Sequence, residues 1–131
     1  MSSLDRILPF LKPIEDLLVD PAVTEVMVNG GGQRVFVERR GCIEQIPNRT
    51  LEVRNLTVAI KNIARACGDE ISERQPMLDA RLEDGSRVAA MFPPCAADGP
   101  TLTVRKFTQR FTLDDLIAVG TLNAPMADVL R

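Results

Sequence analysis

The stretch that decides the fold is MLDARLEDGSRVAAMFPP, residues 77–94. Apolar and polar side chains alternate along both halves of this stretch, and the turn-forming residues DGS lie between them. Alternation with a period of two is typical of strands that bury one face, and a short Gly-containing connection joins such strands as an antiparallel hairpin. The sequence therefore predicts a β-hairpin, followed by a further strand in TLTVRKF, residues 101–107.

The register of this hairpin decides which side chains share a face, because residues directly opposite each other lie on the same side of a sheet. A three-residue connection over residues 84–86 gives these pairs on the apolar face: Leu82 with Val88, Ala80 with Ala90 and Leu78 with Phe92. The same alternation places Arg81, Arg87 and Arg105 together on the other, polar face.

Arginines on that face have two interpretations. The planar guanidinium group suits carboxylates and phosphates. The three arginines therefore form either ordinary surface ion pairs, with Asp79 and Glu83 as nearby acids, or an anion-binding site. Composition alone favours the surface ion pairs.

The region before the hairpin predicts a mixture of helices and strands. Residues 4–18 have helical spacing that Pro9 and Pro13 interrupt, which indicates a broken amphipathic helix. Three strands are predicted next: residues 24–30, 34–41 and 42–47. The clearest helix follows, with Thr50 as its N-cap and Gly68 as its C-terminal stop.

This order of elements predicts an α+β domain with a mainly antiparallel sheet of about six strands and helices packed on it. We assign residues 1–107 to the sheet domain. Residues 108–131 predict a short helix, a glycine turn and the start of another helix.

Bulk composition narrows the possible functions. The chain has 131 residues and a formal net charge of −2, so it lacks the basic surplus of non-specific nucleic-acid binders, and no direct nucleic-acid contact is expected. It has no histidine and three cysteines without a CxxC pair, so we expect buried free thiols and no metal site. No apolar run reaches the ~20 residues that span a bilayer, and the N-terminus is unlike a signal peptide, so a cytoplasmic location is expected.

Four stretches, in chain order, match the pattern of a known family: VTEVMVNG (23–30), VFVERRG (35–41), ISERQPMLDARLEDGSRVAAMFPP (71–94) and GPTLTVRKF (99–107). Together they resemble the N-terminal domain of type II/type IV secretion ATPases, in the branch that serves tight-adherence pili and conjugation.

This resemblance implies a PAS-like sheet domain that is joined by a linker, here within residues 108–131, to a RecA-like ATPase domain. In the family, nucleotide lies between the two domains, and arginines of the N-terminal domain reach its phosphates. The positions that match are Arg87 and Arg105. Arg81 matches a motif position without a phosphate contact, and for it we expect a supporting ion pair with Asp79, with Glu83 or with a neighbouring subunit.

The resemblance also implies partners and cofactors. The partners would be the chain's own RecA-like domain, identical subunits in a hexameric ring, and an inner-membrane platform protein of a secretion or pilus machine. The ring would lie in the cytoplasm, peripheral to the inner membrane, and would power secretion, pilus assembly or conjugative transfer. ATP and magnesium would be bound by the parent protein, and neither is expected to bind tightly to this chain.

Phosphate-loop chemistry is absent from the sequence. No GxxxxGK[ST] string occurs in the 131 residues, so the chain alone is not expected to hydrolyse ATP, and no catalytic residue is assigned to it. GGG at 30–32 predicts a turn between strands. The alternative function is a free-standing α+β sensory or ligand-binding module, because this fold class hosts many unrelated functions. A complete small enzyme is disfavoured, because the carboxylates of Asp79, Glu83 and Asp84 are of the kind that usually form turns or solvated pairs.

Overall fold

One six-stranded sheet organises the chain, in the strand order β3–β2–β1–β6–β5–β4. The structure is a computed structural model, and it describes residues 3–107 and 112–131. Its strands are β1 Val23–Asn29, β2 Arg34–Arg39, β3 Cys42–Ile46, β4 Met77–Arg81, β5 Arg87–Met91 and β6 Thr101–Arg105. Every neighbouring pair is antiparallel, and the predicted α+β class is confirmed.

The helices are α1 Ser3–Ile7, α2 Glu15–Val19, α3 Val53–Ala66, α4 Leu113–Ala118 and α5 Ala124–Leu130. Two 3-10 turns, Leu8–Phe10 and Lys12–Ile14, separate α1 from α2, and each contains one of the two prolines that were expected to interrupt the helix. The break follows from the chemistry of proline, which lacks the amide hydrogen that a continuous helix needs. None of the described helices is long and apolar enough to cross a membrane.

The core lies between one face of the sheet and the helices. Val88, Leu102 and Val104 point into it from the strands, as predicted, and α3 contributes Leu56 and Ile60. Burial of one such side chain stabilises the fold by about 2 kcal/mol. The opposite face of the sheet keeps its side chains exposed or half-buried, and we call it the open face.

The predicted register of the β4–β5 hairpin was wrong by two residues. Ala80 pairs with Val88, and Arg81 pairs with Arg87. The connection is Glu83–Gly85, because the amide of Leu82 donates a hydrogen bond to the carbonyl oxygen of Ser86 at 2.7 Å. A shift by two residues preserves every face, so the predicted inward and outward sets still hold.

The main helix begins later than predicted. Its first residue is Val53 and its N-cap position is Glu52, whose side chain makes no cap hydrogen bond, so Thr50 is not the cap. Leu51, the residue after Thr50, explains the later start of the helix. Leu51 is buried, and its amide donates a hydrogen bond to the carbonyl oxygen of Gly32 at 2.8 Å. This bond ties the segment before the helix to the β1–β2 turn.

The end of the main helix is as predicted. Gly68 has a φ of +74°, and its amide bonds to the carbonyl oxygen of Arg65. The amide of Asp69 bonds to the carbonyl oxygen of Ala64 at 2.8 Å. This pair of bonds is the Schellman arrangement that ends many helices at a glycine.

Other expectations have mixed outcomes. The three glycines Gly30–Gly32 form the turn between β1 and β2, as predicted. The cysteines are free, but Cys42 and Cys95 are exposed and Cys67 is half-buried, so the expectation of buried thiols was wrong. The predicted boundary after residue 107 falls next to residues 108–111, which lie outside the described residues.

Candidate anion-binding face

A row of charged side chains crosses the open face at one level of the sheet. The strand registers align them from β2 to β4 in this order: Glu38, Glu25, Arg105, Arg87 and Arg81. The two acids are neighbours, and so are the three arginines, which confirms that the arginines share one face. Like charges directly opposite each other destabilise a sheet, so three adjacent arginines carry a local electrostatic cost.

One carboxylate offsets part of this cost. Nη2 of Arg87 lies 3.1 Å from Oδ2 and 3.3 Å from Oδ1 of Asp79. Both side chains are more than half exposed, so the pair contributes at most about 1 kcal/mol. Within residues 3–107 and 112–131, Arg105 and Arg81 form no ion pair.

The ion pair that was expected between Arg81 and Asp79 is not formed, because Asp79 pairs with another arginine. Asp79 pairs with Arg87, because the hairpin register places Asp79 opposite Ala89 and diagonal to Arg87. Glu83 lies in the turn and forms no ion pair in the described part of the chain. Ordinary surface pairing accounts for one of the three arginines.

A groove of about 360 Å³ lies on the open face beside this row, and we call it the open-face groove. Arg87 and Arg105 both line it, whereas Arg81 lines a separate cavity next to Cys67. The remaining side chains that matter here are acidic, hydroxyl-bearing or apolar: Glu25, Asp79, Thr101, Thr103, Met77 and Met91. The structure thus brings together the two arginines that were assigned a phosphate contact and leaves the third outside.

Glu25 sets the electrostatics at the acidic end of this groove. Burial raises the pKa of its carboxyl, and the neighbouring Glu38 carboxyl raises it further by hydrogen bonding, while Arg105 opposes the rise. Glu25 therefore keeps its proton to a higher pH than an isolated glutamate does. The positive charge of Arg105 favours the ionised form of Glu25.

Glu25, Thr101 and Thr103 were not among the site residues predicted from the sequence. Their alternation within the strands was visible and places them on the outward face. The missing information was the neighbour order, because β1 pairs with β6 although four other strands and α3 lie between them in the chain. Only the assembled sheet places Glu25 opposite Arg105.

This groove carries hydrogen-bond donors that an anion could use, beside the carboxylates of Glu25 and Asp79. Two guanidinium groups supply several fixed donors, and threonine hydroxyls add neutral ones. Among the described residues, no group of three or more His, Cys, Asp or Glu side chains is arranged to hold a metal ion. The apolar side chains of Met77 and Met91 add a surface on which a flat group can rest.

The fold and the site define an antiparallel α+β sheet domain whose uncovered face carries a groove lined by two arginines and two acids. Comparison with known proteins gives the family. The chain is 36% identical over 113 residues to the type IV secretion system protein VirB11 of Brucella suis. The aligned region covers 84% of this chain and 31% of that protein. It is 32% identical over 105 residues to the type IV secretion system protein PtlH of Bordetella pertussis, with 79% of this chain and 30% of that protein covered.

Structural comparison agrees with the sequence. The crystal structure of the VirB11 ATPase from the Brucella suis type IV secretion system in complex with sulphate matches with a TM-score of 0.75 and 33% identity, over 93% of this chain and 37% of that chain. An uncharacterized protein of Methanocaldococcus jannaschii is 41% identical over 118 residues, which is 89% of this chain and 16% of that protein. No family profile matches the chain.

The chain belongs to the family of type II/type IV secretion ATPases, and it has the fold of the N-terminal region of VirB11. It spans about a third or less of the length of the curated relatives named above.

Proposed function

We propose that the open face is the nucleotide-facing surface of a hexameric secretion ATPase. In this proposal Arg87 and Arg105 contact the phosphates of an ATP that is held by a RecA-like domain outside this chain. The observation that carries the proposal is the row of three arginines, of which Arg105 and Arg81 form no ion pair in the described part of the chain, although Glu25 lies opposite Arg105. An anionic ligand would relieve their mutual repulsion.

The chemistry of phosphoryl transfer suits this role. Cationic donors aimed at the phosphate oxygens stabilise the charge that develops there, and they sense whether the terminal phosphate is present. The VirB11 relative was solved in complex with sulphate, a tetrahedral anion of similar shape to phosphate. Magnesium and the attacking water would be held by the RecA-like domain, because the 131 residues contain no GxxxxGK[ST] string.

The assembly follows from the same family membership. Six copies would form a ring in the cytoplasm, peripheral to the inner membrane, and would contact a platform protein of the secretion or pilus machine. In the ring, each sheet domain would report the nucleotide state of the site that it covers. The work of the ring would be secretion, assembly of a pilus or conjugative transfer, and secretion is the process in the names of the VirB11 and PtlH relatives.

Titration of the isotope-labelled chain with ATP, followed by NMR, tests the phosphate contact. We expect shifts of the Arg87 and Arg105 side-chain signals with a dissociation constant on the order of millimolar, since two arginines supply only a few charge-assisted hydrogen bonds. Adenosine, which lacks phosphates, should leave these signals in place, and Arg87→Ala/Arg105→Ala should abolish the response. Submicromolar binding by this chain, or shifts remote from the open-face groove, would argue against the proposal.

A further inference from the structure

A second groove lies on the helix side of the molecule, between the two 3-10 turns that follow α1 and the outer surface of α3. It has a volume of about 350 Å³, and we call it the helix-side groove. Apolar side chains and two cations line it: Pro9, Phe10, Pro13, Val58, Lys12 and Arg54. Phe10 and Val58 remain 37% and 52% exposed, so apolar surface is accessible between positive charges.

The charge of this region comes from α3 itself. The helix carries Arg54, Lys61 and Arg65 and no acidic residue. Their spacing, together with Val58, places them in one stripe along the outer surface of the helix, opposite the buried residues. Lys61 and Arg65 are four residues apart, and like charges at that spacing repel each other.

Arg54 is the most informative of these cations. It lies in the first turn of α3, where the helix dipole disfavours a positive charge by about 0.3–1 kcal/mol. None of the three cations, nor Lys12, forms an ion pair within the described ranges 3–107 and 112–131. The chain therefore keeps unneutralised cations at positions that its own fold does not favour.

Two acids lie close to these cations in the sequence, and neither forms an ion pair with them in the described part of the chain. Asp16 is held by Arg49, with Nη1 2.6 Å from Oδ1 and Nη2 3.1 Å from Oδ2, and the hydrogen bonds from Arg49 lower the pKa of Asp16. Arg49 also donates to the carbonyl oxygen of Pro13 at 2.9 Å, which fixes one wall of the groove. Glu52, just before α3, makes no cap bond, and it forms no ion pair with any residue that the structure describes.

We propose that the helix-side groove binds an acidic, amphipathic segment of a partner protein. An apolar side chain of the segment packs between Phe10 and Val58, and its carboxylates pair with Lys12 and Arg54. A concave groove with partly covered apolar side chains suits a peptide better than a flat bilayer, and the chain's net charge of −2 does not favour an anionic membrane. This surface is separate from the open-face groove, with which it shares no lining residue.

A synthetic acidic peptide of about 15 residues, long enough to lie along α3, tests this surface. The peptide carries Glu and Leu on one helical face, and its binding to the labelled 131-residue chain is followed by NMR at low ionic strength. We expect shifts centred on Phe10, Val58 and Asn62. Lys12→Glu/Arg54→Glu should weaken binding by about tenfold or more, and added salt should weaken it further.

Two further variants separate a specific site from general charge attraction. Arg34→Glu/Arg40→Glu changes the net charge equally but lies outside the groove, and it should leave the affinity within about twofold of wild type. Val58→Ser keeps all charges and removes apolar contact, and it should weaken binding by about threefold.

Several outcomes would overturn the proposal. These are an absence of shifts in the groove, or equal losses in the two charge-reversal variants. Loss of binding to phosphatidylglycerol vesicles in Lys12→Glu/Arg54→Glu, without any peptide binding, would assign the groove to a membrane. Groove signals that move with protein concentration alone, without peptide, would assign it to a second copy of the chain. Retained dispersion of the spectrum in each variant serves as the folding control.

Discussion

Gly32 shows how a single residue holds two parts of the fold together. Its φ is +106°, and a Cβ at this position would collide with the carbonyl oxygen of Leu51. Gly32→Ala is therefore expected to lower the free energy of unfolding by about 3 kcal/mol, measured by urea denaturation. Gly68→Ala is the matched control, because φ is also positive there, at +74°. An added Cβ at Gly68 would meet no atom of the described residues within 4 Å, its chain neighbours aside, and the expected loss is about 1 kcal/mol. Equal losses would contradict the close approach at Gly32.

Glu25 gives the open face a pH dependence. The pKa of its carboxyl is raised in the folded chain, mainly by burial. The folded state therefore binds this proton more tightly than the unfolded state does. Its contribution to stability is thus fully present below the unfolded pKa and is lost as the pH rises through the folded pKa. Glu25→Gln should therefore gain stability relative to wild type as the pH rises from about 4 to about 7. Glu73→Gln, at an exposed position outside the open-face groove, is the control for removing one carboxylate. Parallel stability curves for wild type and Glu25→Gln would refute the assignment.

The same residues show what could be predicted at this scale. Alternation placed Arg81, Arg87 and Arg105 on one face correctly, because a side chain's face depends only on its position within its own strand. The partner of Asp79 and the presence of Glu25 depend on which strands are neighbours. That information is distributed over the whole chain and is not contained in any one segment.

At the scale of elements, the β4–β5 turn shows why the register was misjudged. The alternating pattern is unchanged by a shift of two residues, so it cannot distinguish a connection over residues 83–85 from one over 84–86. Local turn chemistry decides between them. Gly85 takes a φ of +94°, and Asp84 accepts a hydrogen bond from the amide of Ser86 at 2.8 Å.

Ser86 then joins this turn to the end of β6. It is 1% exposed, and its hydroxyl accepts a hydrogen bond from the amide of Phe107 at 3.1 Å. Ser86→Ala removes this acceptor in a buried place, so we expect a loss of about 1–2 kcal/mol in the free energy of unfolding, measured by thermal or urea denaturation. Ser72→Ala, whose hydroxyl accepts only within an exposed turn, should lose about 0.5 kcal/mol. A Ser86→Ala variant as stable as wild type would show that the hydroxyl does not anchor the turn.

At the scale of the whole molecule, two surfaces face in different directions. One face of the sheet is covered by helices and forms the core, and the open face carries the arginine row. The sequence predicted this division well, because both the strand alternation and the helical stripe of α3 point to one buried layer. It did not indicate the helix-side groove, which forms only where the proline-containing turns meet α3.

In the proposed function, Arg87 and Arg105 act on nucleotide phosphates. The most direct test is ATP turnover by a protein in which this chain is joined to a P-loop ATPase domain, with Arg87→Ala and Arg105→Ala made separately. Arg34→Ala, a cation outside the open-face groove, is the matched control. We predict that each groove variant lowers kcat/KM by at least about tenfold while Arg34→Ala stays at the wild-type value. Wild-type kinetics in both groove variants, with the fold intact, would show that neither arginine acts on the nucleotide phosphates.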